Sequence, residues 1–365
     1  MKRILIVCPH PLNVAPGQRL KYEQYIKSWE ENGYQVDISS FMSLRFWNVV
    51  YKPGKLVEKI MWTKIGYFRR FLLLFRLRKY DLVYTFLWGT PFGPPIYEWL
   101  LCKISKKVIY DIDDLVYSKD HKSKANSFIA TLKGREKPVY LMKKANHVIT
   151  CTPHLDDFAR QYTNKTTDIS STINTETYKP INPYSNDKIL TLGWSGSHST
   201  SKYVYLLQDV LLKLSKKHKF KLLVIGDASF NIPGLDVEAI GWEEATEVKN
   251  LQRIDIGLYP LPDEPWVLGK SGLKALQYMA LGIPTIATAI GANHRVIEDG
   301  ISGKLVVSAN QWKNAIERYI INPKLRKKHG LNGRKRVEKL YSVKANKSVY
   351  LNCLNNLINE KNSTL

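Results

Sequence analysis

The residues best suited to chemistry in this sequence are Lys270, Lys274 and Gln277. Their i, i+4 and i+7 spacing puts them on one face of a helix predicted over 272–281. A glycine-containing turn precedes this helix, whose N-terminal N–H groups and dipole suit a phosphate. An ordinary amphipathic helix with exposed lysines is the alternative interpretation. The candidate binding residues here are Gly269, Lys270, Ser271, Lys274 and Gln277.

A second polar run, Gly193–Tyr203, connects a predicted strand to a predicted helix over 202–217. Hydroxyl groups and backbone N–H groups at such a helix start form a nest for an anion. His198 in this loop either contacts a ligand or points to solvent. The candidate residues of the loop are Ser195, Gly196, Ser197, His198, Ser199 and Lys202.

A third run, Thr288–His294, is a strand that ends in small residues. Such a turn lets a ligand approach the backbone, although a plain strand-to-helix loop has the same composition. The candidate residues of this turn are Gly291, Ala292 and Asn293.

Two acidic residues, Asp111 and Asp113, stand at the carboxyl end of the predicted strand 107–111. Alternation puts both side chains on one side. They either bind an acceptor hydroxyl or steady positive charge, or they form a helix-capping or solvated acidic turn. Metal binding is the less favoured use, and no metal site is predicted.

The elements that must position these residues alternate between short apolar strands and helical patterns. This rhythm predicts an α/β fold with parallel, doubly wound sheets and helices on both faces. It restarts after a polar linker at 174–188, so we expect two units that face a cleft. The predicted domains are 1–180 and 187–340, followed by a C-terminal helix over 341–365 that packs on the first domain.

Composition limits the function classes. The 365 residues carry 55 Lys and Arg against 32 Asp and Glu, a net charge of +23, which favours an anionic partner. Four widely spaced cysteines indicate free thiols in a reducing compartment. The short apolar N-terminal run before Pro9 does not match a signal peptide. No helix-turn-helix, zinc-finger or RNA-binding signature is present, so no specific nucleic-acid partner is predicted.

The runs Leu276–Pro284 and Asp299–Gly303 resemble the donor-site signature of the GT-B glycosyltransferases of family 4. In that signature, L-E-A-M-A-x-G-x-P leads through a strand and a small-residue turn to D-G-x-x-G. The family also carries two glutamates eight positions apart. Here the second falls on Gln277 and the first falls on or beside Gly269 and Lys270, so this chain lacks the glutamate that makes the family's usual contact to the sugar hydroxyls.

The resemblance implies two Rossmann-like domains with C-terminal helices crossing back to the first, and a nucleotide-diphosphate sugar as co-substrate without a further cofactor. It implies that Lys202 and Lys270 stabilise the leaving diphosphate, and that Gln277 hydrogen-bonds a ribose hydroxyl. Two further family segments are matched. They place Gly17 in the first loop near donor and acceptor, and Gly241 and Trp242 against the nucleotide base.

The segment 41–80 is strongly basic, with ten Lys or Arg and one acid, a local net charge of +9. Bulky apolar residues alternate with the basic ones, which suits the interface of an anionic membrane. A helix pair packed on the first domain, with a solvated basic face, is the alternative.

These observations together predict a retaining glycosyltransferase. It would move a sugar from a nucleotide-diphosphate donor to a glycan acceptor, lipid-linked in our interpretation, during bacterial surface polysaccharide (lipopolysaccharide or capsule) biosynthesis. The predicted location is cytoplasmic, peripheral on the inner face of the plasma membrane. A non-catalytic subunit of the same fold, which binds sugar nucleotide or glycan, is the first alternative. A basic nucleic-acid-binding protein is the second.

Overall fold

The chain divides into two α/β units in a computed structural model. The structure describes residues 1–50, 52–115, 134, 136–181 and 189–359. One unit comprises Met1–Ser171 and Asn346–Leu365, and the second comprises Thr172–Ala345. The divisions thus lie after Ser171 and after Ala345, whereas composition predicts a linker at 174–188, of which 182–188 lie outside the described residues.

The first unit is built on a parallel sheet with the strand order β2-β1-β3-β4-β5-β6. Its strands are β1 (Lys2–Cys8), β2 (Tyr34–Ser40), β3 (Leu82–Phe86), β4 (Val108–Asp111), β5 (His147–Thr150) and β6 (Thr166–Asp168). Because the apolar residues of β1, β3 and β4 are buried, these strands form the centre of the core. The helices of this unit are Pro16–Arg19, Ile26–Glu31, Leu44–Val50, Leu56–Leu74, Ile96–Ile104, Glu136–Lys144 and Pro153–Arg160, with 3₁₀ turns at Glu23–Tyr25 and Leu77–Lys79.

The second unit repeats the design with the strand order β12-β11-β10-β7-β8-β9, again all parallel. Its strands are β7 (Leu190–Ser195), β8 (Phe220–Ile225), β9 (Val237–Ile240), β10 (Ile256–Tyr259), β11 (Thr285–Thr288) and β12 (Lys304–Val306). The chain leaves β7 toward β8 on one side and later returns to β10 on the other. The strand order therefore reverses between β7 and β10, where open α/β sheets bind ligands.

Helices cover this second sheet on both faces. The α-helices are Gln208–Ser215, Glu247–Leu251, Leu273–Ala280, Asn293–Val296, Ala309–Ile321 and Pro323–Arg336, with 3₁₀ turns at Ser201–Leu207, Glu244–Thr246 and Pro265–Gly269 and a π-helical turn at Val337–Tyr341. Two boundaries differ from the sequence-based expectation. The strand β7 continues to Ser195 because its last residues pair with Val224 and Ile225 of β8. The helix expected over 202–217 begins as a 3₁₀ turn and becomes an α-helix only at Gln208.

The last described helix, Val343–Asn359, returns to the first unit, as the fold prediction requires. Its Tyr350 ring is fully buried, with its centroid 4.5 Å from that of Tyr25 and 6.0 Å from that of Trp29. The Tyr34 hydroxyl donates a hydrogen bond to Asn355 of the same helix. This helix therefore completes the aromatic core of the first unit.

The long helix Leu56–Leu74 is fastened to the first sheet by a buried arginine. The guanidinium of Arg70 donates to the backbone carbonyls of Cys8 at 2.8 Å, Ser39 at 3.0 Å and Gly89 at 2.8 Å. Arg70 is 1% exposed, and burial lowers its pKa. The side chain thus joins the helix to the chain at the ends of β1 and β2 and after β3. Among the described residues, no helix is long and apolar enough to cross a membrane.

We expect Arg70→Met to lower the free energy of unfolding by about 3 kcal/mol or more. The substitution leaves buried carbonyl groups without a donor, at about 1–3 kcal/mol each. The exposed neighbour Arg69 supplies the control, since Arg69→Met should change the free energy of unfolding by less than about 0.5 kcal/mol. Urea unfolding of both variants measures the difference, and equal values for the two would refute this role of Arg70.

Candidate functional site

The side chain of Lys274 lies where the strand order of the second sheet reverses. Its ammonium is 5.5 Å from the ring centroid of Trp194, at the end of β7, and 5.5 Å from that of Tyr259, at the end of β10. Burial, together with the charge of Lys270, lowers the pKa of Lys274 to about 8. A poorly solvated cation at this point is stabilised by any anion that enters.

Local backbone geometry puts Lys274 there. Gly272 has a φ of +77°, a left-handed conformation that favours glycine, and the helix Leu273–Ala280 starts directly after it. One turn later, the hydroxyl of Tyr278 accepts a hydrogen bond from the Ser195 backbone N–H at 2.8 Å. A Cβ at Gly257 would lie 2.5 Å from the Tyr278 ring, so only glycine allows this approach of β10 to the helix.

Lys202 and Lys270 are brought together by two aromatic rings. The ring of Tyr203 stacks on that of Trp266, with centroids 5.5 Å apart and planes inclined by 30°. The ammonium of Lys202 is 5.2 Å from the Tyr203 ring, and that of Lys270 is 5.6 Å from the Trp266 ring. The loops after β7 and β10 therefore carry a group of three cations, which we call the lysine cluster: Lys202, Lys270 and Lys274.

The loop after β7 packs closely against its neighbours because Gly196 and Gly226 have no side chains. A Cβ at Gly196 would lie 2.4 Å from the Trp194 ring and 2.8 Å from Cε of Lys274. A Cβ at Gly226, whose φ is +109°, would lie 1.7 Å from the Gly196 carbonyl oxygen. The Gly196 backbone is thus locked beside Lys274.

The hydroxyl groups of this loop bond mostly to one another. The Ser197 hydroxyl lies 2.9 Å from that of Ser199 and 3.1 Å from that of Thr200. The Ser197 backbone N–H donates to the Thr200 hydroxyl. Ser195 belongs to strand β7 rather than to the loop, and its N–H is used by Tyr278. The predicted anion nest is therefore supplied chiefly by lysines and a helix start rather than by free serine hydroxyls.

His198, predicted either to contact a ligand or to point to solvent, has a side chain that is 79% exposed and lies beside an acid. Its Nδ1 lies 2.9 Å from Oδ1 of Asp227, which follows β8. Asp227 also accepts hydrogen bonds from the hydroxyls of Ser201 at 2.5 Å and Ser229 at 2.7 Å. These donors hold the pKa of Asp227 well below its usual range. Sequence reasoning missed Asp227, although an acid directly after an apolar strand marks the carboxyl edge of a parallel sheet.

Gln277, for which the resemblance implies a hydrogen bond to a ribose hydroxyl, uses the N–H groups of its amide within the second unit. The residue is 4% exposed, and its Nε2 donates to the Tyr178 hydroxyl at 3.1 Å and to Glu247 Oε1 at 3.0 Å. Glu247 in turn accepts from Tyr178 at 3.0 Å and from the Trp242 indole at 3.2 Å. Glu247 is thus a buried carboxylate that sequence reasoning missed, because its partners are 30 and 69 residues away along the chain.

Of the remaining residues predicted for the site in the second unit, one has free space around it and others are held by hydrogen bonds or burial. Gly241 follows β9 and has no atom within 4 Å of a Cβ placed on it, whereas Trp242 is tied to Glu247. Ala292 and Asn293 are buried, and the Asn293 amide donates to the Thr288 carbonyl at 2.9 Å. Three others lie in turns of the second unit: Gly269 ends the 3₁₀ turn Pro265–Gly269, Ser271 is buried, and a Cβ at Gly291 would lie 3.4 Å from the Leu268 backbone.

Asp111 in the first unit faces a buried cation rather than solvent. It is fully buried, its Oδ1 pairs with the buried ammonium of Lys21, and its Oδ2 accepts from the Tyr84 hydroxyl. Burial raises the pKa of Asp111 to about 6 although Lys21 opposes the shift. Burial lowers the pKa of Lys21, but Asp111 and other nearby groups outweigh this, so its pKa is raised.

Asp113 is the better exposed member of the predicted acidic pair. It accepts from the Cys151 thiol at 3.1 Å, and a Cβ at Gly17 would lie 2.8 Å from its Oδ2. The structure therefore brings Gly17 and Asp113 together at the carboxyl edge of the first sheet. Within the described part of the chain, no three acidic, histidine or cysteine side chains gather as a metal ion would require.

Comparison with known proteins agrees with this geometry. Residues 187–322 match the family model described as glycosyl transferases group 1. No sequence match was found among curated proteins. Sucrose-phosphate synthase from Thermosynechococcus elongatus superposes with a TM-score of 0.75 at 18% identity, covering 99% of this chain and 100% of that one.

Two further solved structures are similar over nearly the whole chain. A glycosyltransferase from Rickettsia africae has a TM-score of 0.69 at 16% identity, with 99% of each chain covered. Anabaena Alr3699/HepE, solved with UDP and glucose, has a TM-score of 0.69 at 15% identity, covering 98% of this chain and 100% of that one. The fold is therefore GT-B, and the second unit carries a glycosyltransferase domain.

The buried hydrogen bond between Gln277 and Glu247 predicts that substitutions at the two positions have coupled effects on the free energy of unfolding. Gln277→Glu should lower the free energy of unfolding by about 2 kcal/mol near neutral pH, because it sets two buried carboxylates against each other. The loss should shrink toward about pH 5, since the repulsion raises the carboxyl pKa and protonation relieves it.

The double variant Glu247→Gln with Gln277→Glu should recover part of that stability, because one carboxylate and one amide face each other again. Urea unfolding of the single and double variants measures this coupling. Additive losses in the double variant would show that the two side chains do not interact.

Proposed function

We propose that this glycosyltransferase moves a sugar from a nucleotide-diphosphate donor to a hydroxyl of a lipid-linked glycan acceptor, with retention of anomeric configuration. We further propose that it works in bacterial surface polysaccharide biosynthesis, on the cytoplasmic face of the plasma membrane. The observation that carries the donor part is the lysine cluster at the point where the strand order of the second sheet reverses. Retention and the polysaccharide context rest on the family that the sequence resembles.

The charge of the lysine cluster suits a diphosphate. Lys274 is half-buried beside two rings and repelled by Lys270, so an anion that enters gains a strong interaction. The helix Leu273–Ala280 adds N–H groups and the positive end of its dipole. Similar proteins fit this reading, since Anabaena Alr3699/HepE was solved with UDP-glucose.

The same cations would promote the bond-breaking step. As the bond from the sugar to the diphosphate breaks, negative charge grows on the leaving oxygen, and fixed cations stabilise that charge without reorganising. Lys202 and Lys270 are held by aromatic rings, and Lys274 by burial, so each is preorganised. In this scheme the second unit needs no side-chain nucleophile.

A second candidate function is binding of sugar nucleotide without turnover. It is favoured by one observation, the occupation of the Gln277 amide by Tyr178 and Glu247. The usual contact from this position to a donor hydroxyl is then lost. Hydrolysis or transfer of a bound donor excludes this candidate, whereas tight binding with neither reaction supports it.

A panel of sugar nucleotides should identify the donor by thermal stability. A donor at about 100 times its dissociation constant stabilises the fold by about 2.7 kcal/mol. Lys270→Ala should abolish that shift, whereas Lys216→Ala, which removes an exposed lysine beyond the helix Gln208–Ser215, should preserve it. A donor shift unchanged by Lys270→Ala would refute the site.

Donor affinity should fall as the pH rises through about 8. The anionic donor favours the charged form of Lys274, whose pKa of about 8 in the free protein means that the ammonium is lost above that pH. Titration of the dissociation constant between about pH 7 and pH 9 measures this. In Lys274→Met, affinity should be lower and nearly independent of pH over that range. A wild-type affinity that does not change with pH would contradict the role of Lys274.

A further inference from the structure

The helix Leu56–Leu74 presents apolar residues to solvent along its whole length. Six of them follow one another at intervals of three or four residues, so they form one row, and each is between 38% and 81% exposed. We call this row the outward face: Val57, Met61, Ile65, Phe68, Leu72 and Phe75. A helix on the surface of a globular unit normally turns such residues inward, so this exposure marks an interaction surface.

The helix cannot rotate to bury the outward face. Arg70 fixes its opposite side through three backbone carbonyls, as described above. A Cβ at Gly66 would lie 2.6 Å from the Phe41 ring, so the helix backbone is in close contact with the unit. Among the described residues of the first unit the face is therefore unpartnered, and its orientation is set by the packing of the opposite side.

Within the segment 41–80, for which the sequence predicts membrane contact, the structure separates buried from exposed bulky residues. Phe41 and Phe46 are 2% and 4% exposed and form a small core with Trp47 and Trp62. These aromatic residues hold the helix in place and face inward. The apolar residues of the segment that are exposed, and so available to a membrane, include the six residues of the outward face.

Basic side chains border the outward face. Lys64, Arg69 and Arg76 are exposed along the helix and just after it. The one acid of the segment, Glu58, lies 3.4 Å from the ammonium of Lys55. An apolar strip bordered by cations has the charge pattern of an anionic bilayer interface.

A groove of about 500 Å³ continues the apolar surface beside the helix. Phe71 and Ile96 lie at this groove and are 54% and 61% exposed, and Tyr97 and Leu100 line it. Further along the helix Ile96–Ile104, the ammonium of Lys103 is 5.1 Å from the Trp99 ring, which is 45% exposed. The apolar surface thus extends over two helices and keeps a basic border.

We propose that the outward face is the membrane-docking surface of this protein, and that the helix Leu56–Leu74 lies flat in the interface of an anionic bilayer. The inference deepens the proposed function and rests on it, because a lipid-linked acceptor can be reached only at a membrane. Charge decides against a second copy as the occupant, since two copies would bring two segments of net charge +9 face to face.

Sedimentation with vesicles tests the proposal without any nucleotide. Wild-type protein should bind phosphatidylcholine vesicles that contain about a quarter phosphatidylglycerol, and bind pure phosphatidylcholine far more weakly. The double variant Phe68→Ser with Phe75→Ser should bind the anionic vesicles roughly tenfold more weakly or worse. The matched control replaces equally exposed apolar residues of the second unit, Leu206→Ser with Ile321→Ser, and should bind as wild type.

Charge is tested separately. Lys64→Glu with Arg69→Glu should weaken binding to the anionic vesicles roughly fivefold or more per residue, whereas Lys216→Glu with Lys344→Glu should not. Undiminished vesicle binding by the Phe68 and Phe75 variant would overturn the proposal. So would a dimer in sedimentation velocity that this variant abolishes, because the face would then bind a second copy.

The two proposals fail in different ways. If the donor panel fails while the vesicles bind, the donor assignment falls and the docking surface stands. If donor binding is intact and the vesicle variants behave as wild type, the docking surface is wrong and the donor site stands.

Discussion

Parallel strand pairing is the constraint on which the described structure depends. Because every pairing in both sheets is parallel, each strand ends at the same edge of its sheet as its neighbours. In the second unit this puts the loops after β7 and β10 side by side, although the strands end at Ser195 and Tyr259, 64 positions apart along the chain. The lysine cluster exists only because of that juxtaposition.

Two buried lysines and one half-buried lysine show how environment decides what a cation does. Lys21 meets the buried carboxylate of Asp111 and is a structural ion pair. Lys137 donates to the carbonyls of Thr90 and Phe92 and lies 3.9 Å from Glu98. Lys274 instead faces two aromatic rings and another lysine, so its charge is the least compensated of the three and is available to a ligand.

Much of the fold follows from local sequence patterns, whereas the site does so only where spacing is short. The strands, the two-unit division and the helix that carries Lys274 are visible because apolar runs and helical intervals are local. Lys270 lies before that helix with extended backbone, so the predicted helical spacing from Lys270 to Lys274 does not apply. The partners of Asp111 and Gln277 are not visible in the sequence pattern, because Lys21 and Glu247 lie 90 and 30 positions away. No local sequence pattern predicts that a polar residue will be buried against a partner that is distant along the chain.

For the aromatic residues too, local sequence patterns do not predict which side chains are buried. The bulky residues of 41–80 look uniform in sequence, yet Phe41 and Phe46 are core while Phe68 and Phe75 are exposed. Helical spacing separates the two sides of Leu56–Leu74 but does not say which side is inward. The buried hydrogen bonds of Arg70 decide that, and their carbonyl partners come from chain segments 19 to 62 residues distant.

The discontinuity of the first unit has a consequence for synthesis on the ribosome. Tyr25 and Trp29 are translated early, but the Tyr350 ring that covers them belongs to a helix made after the whole second unit. The second unit, Thr172–Ala345, is continuous and is able to close its core as soon as it emerges. The unit that begins first must therefore wait with an uncovered aromatic surface, which makes it the part of the nascent chain most in need of a chaperone.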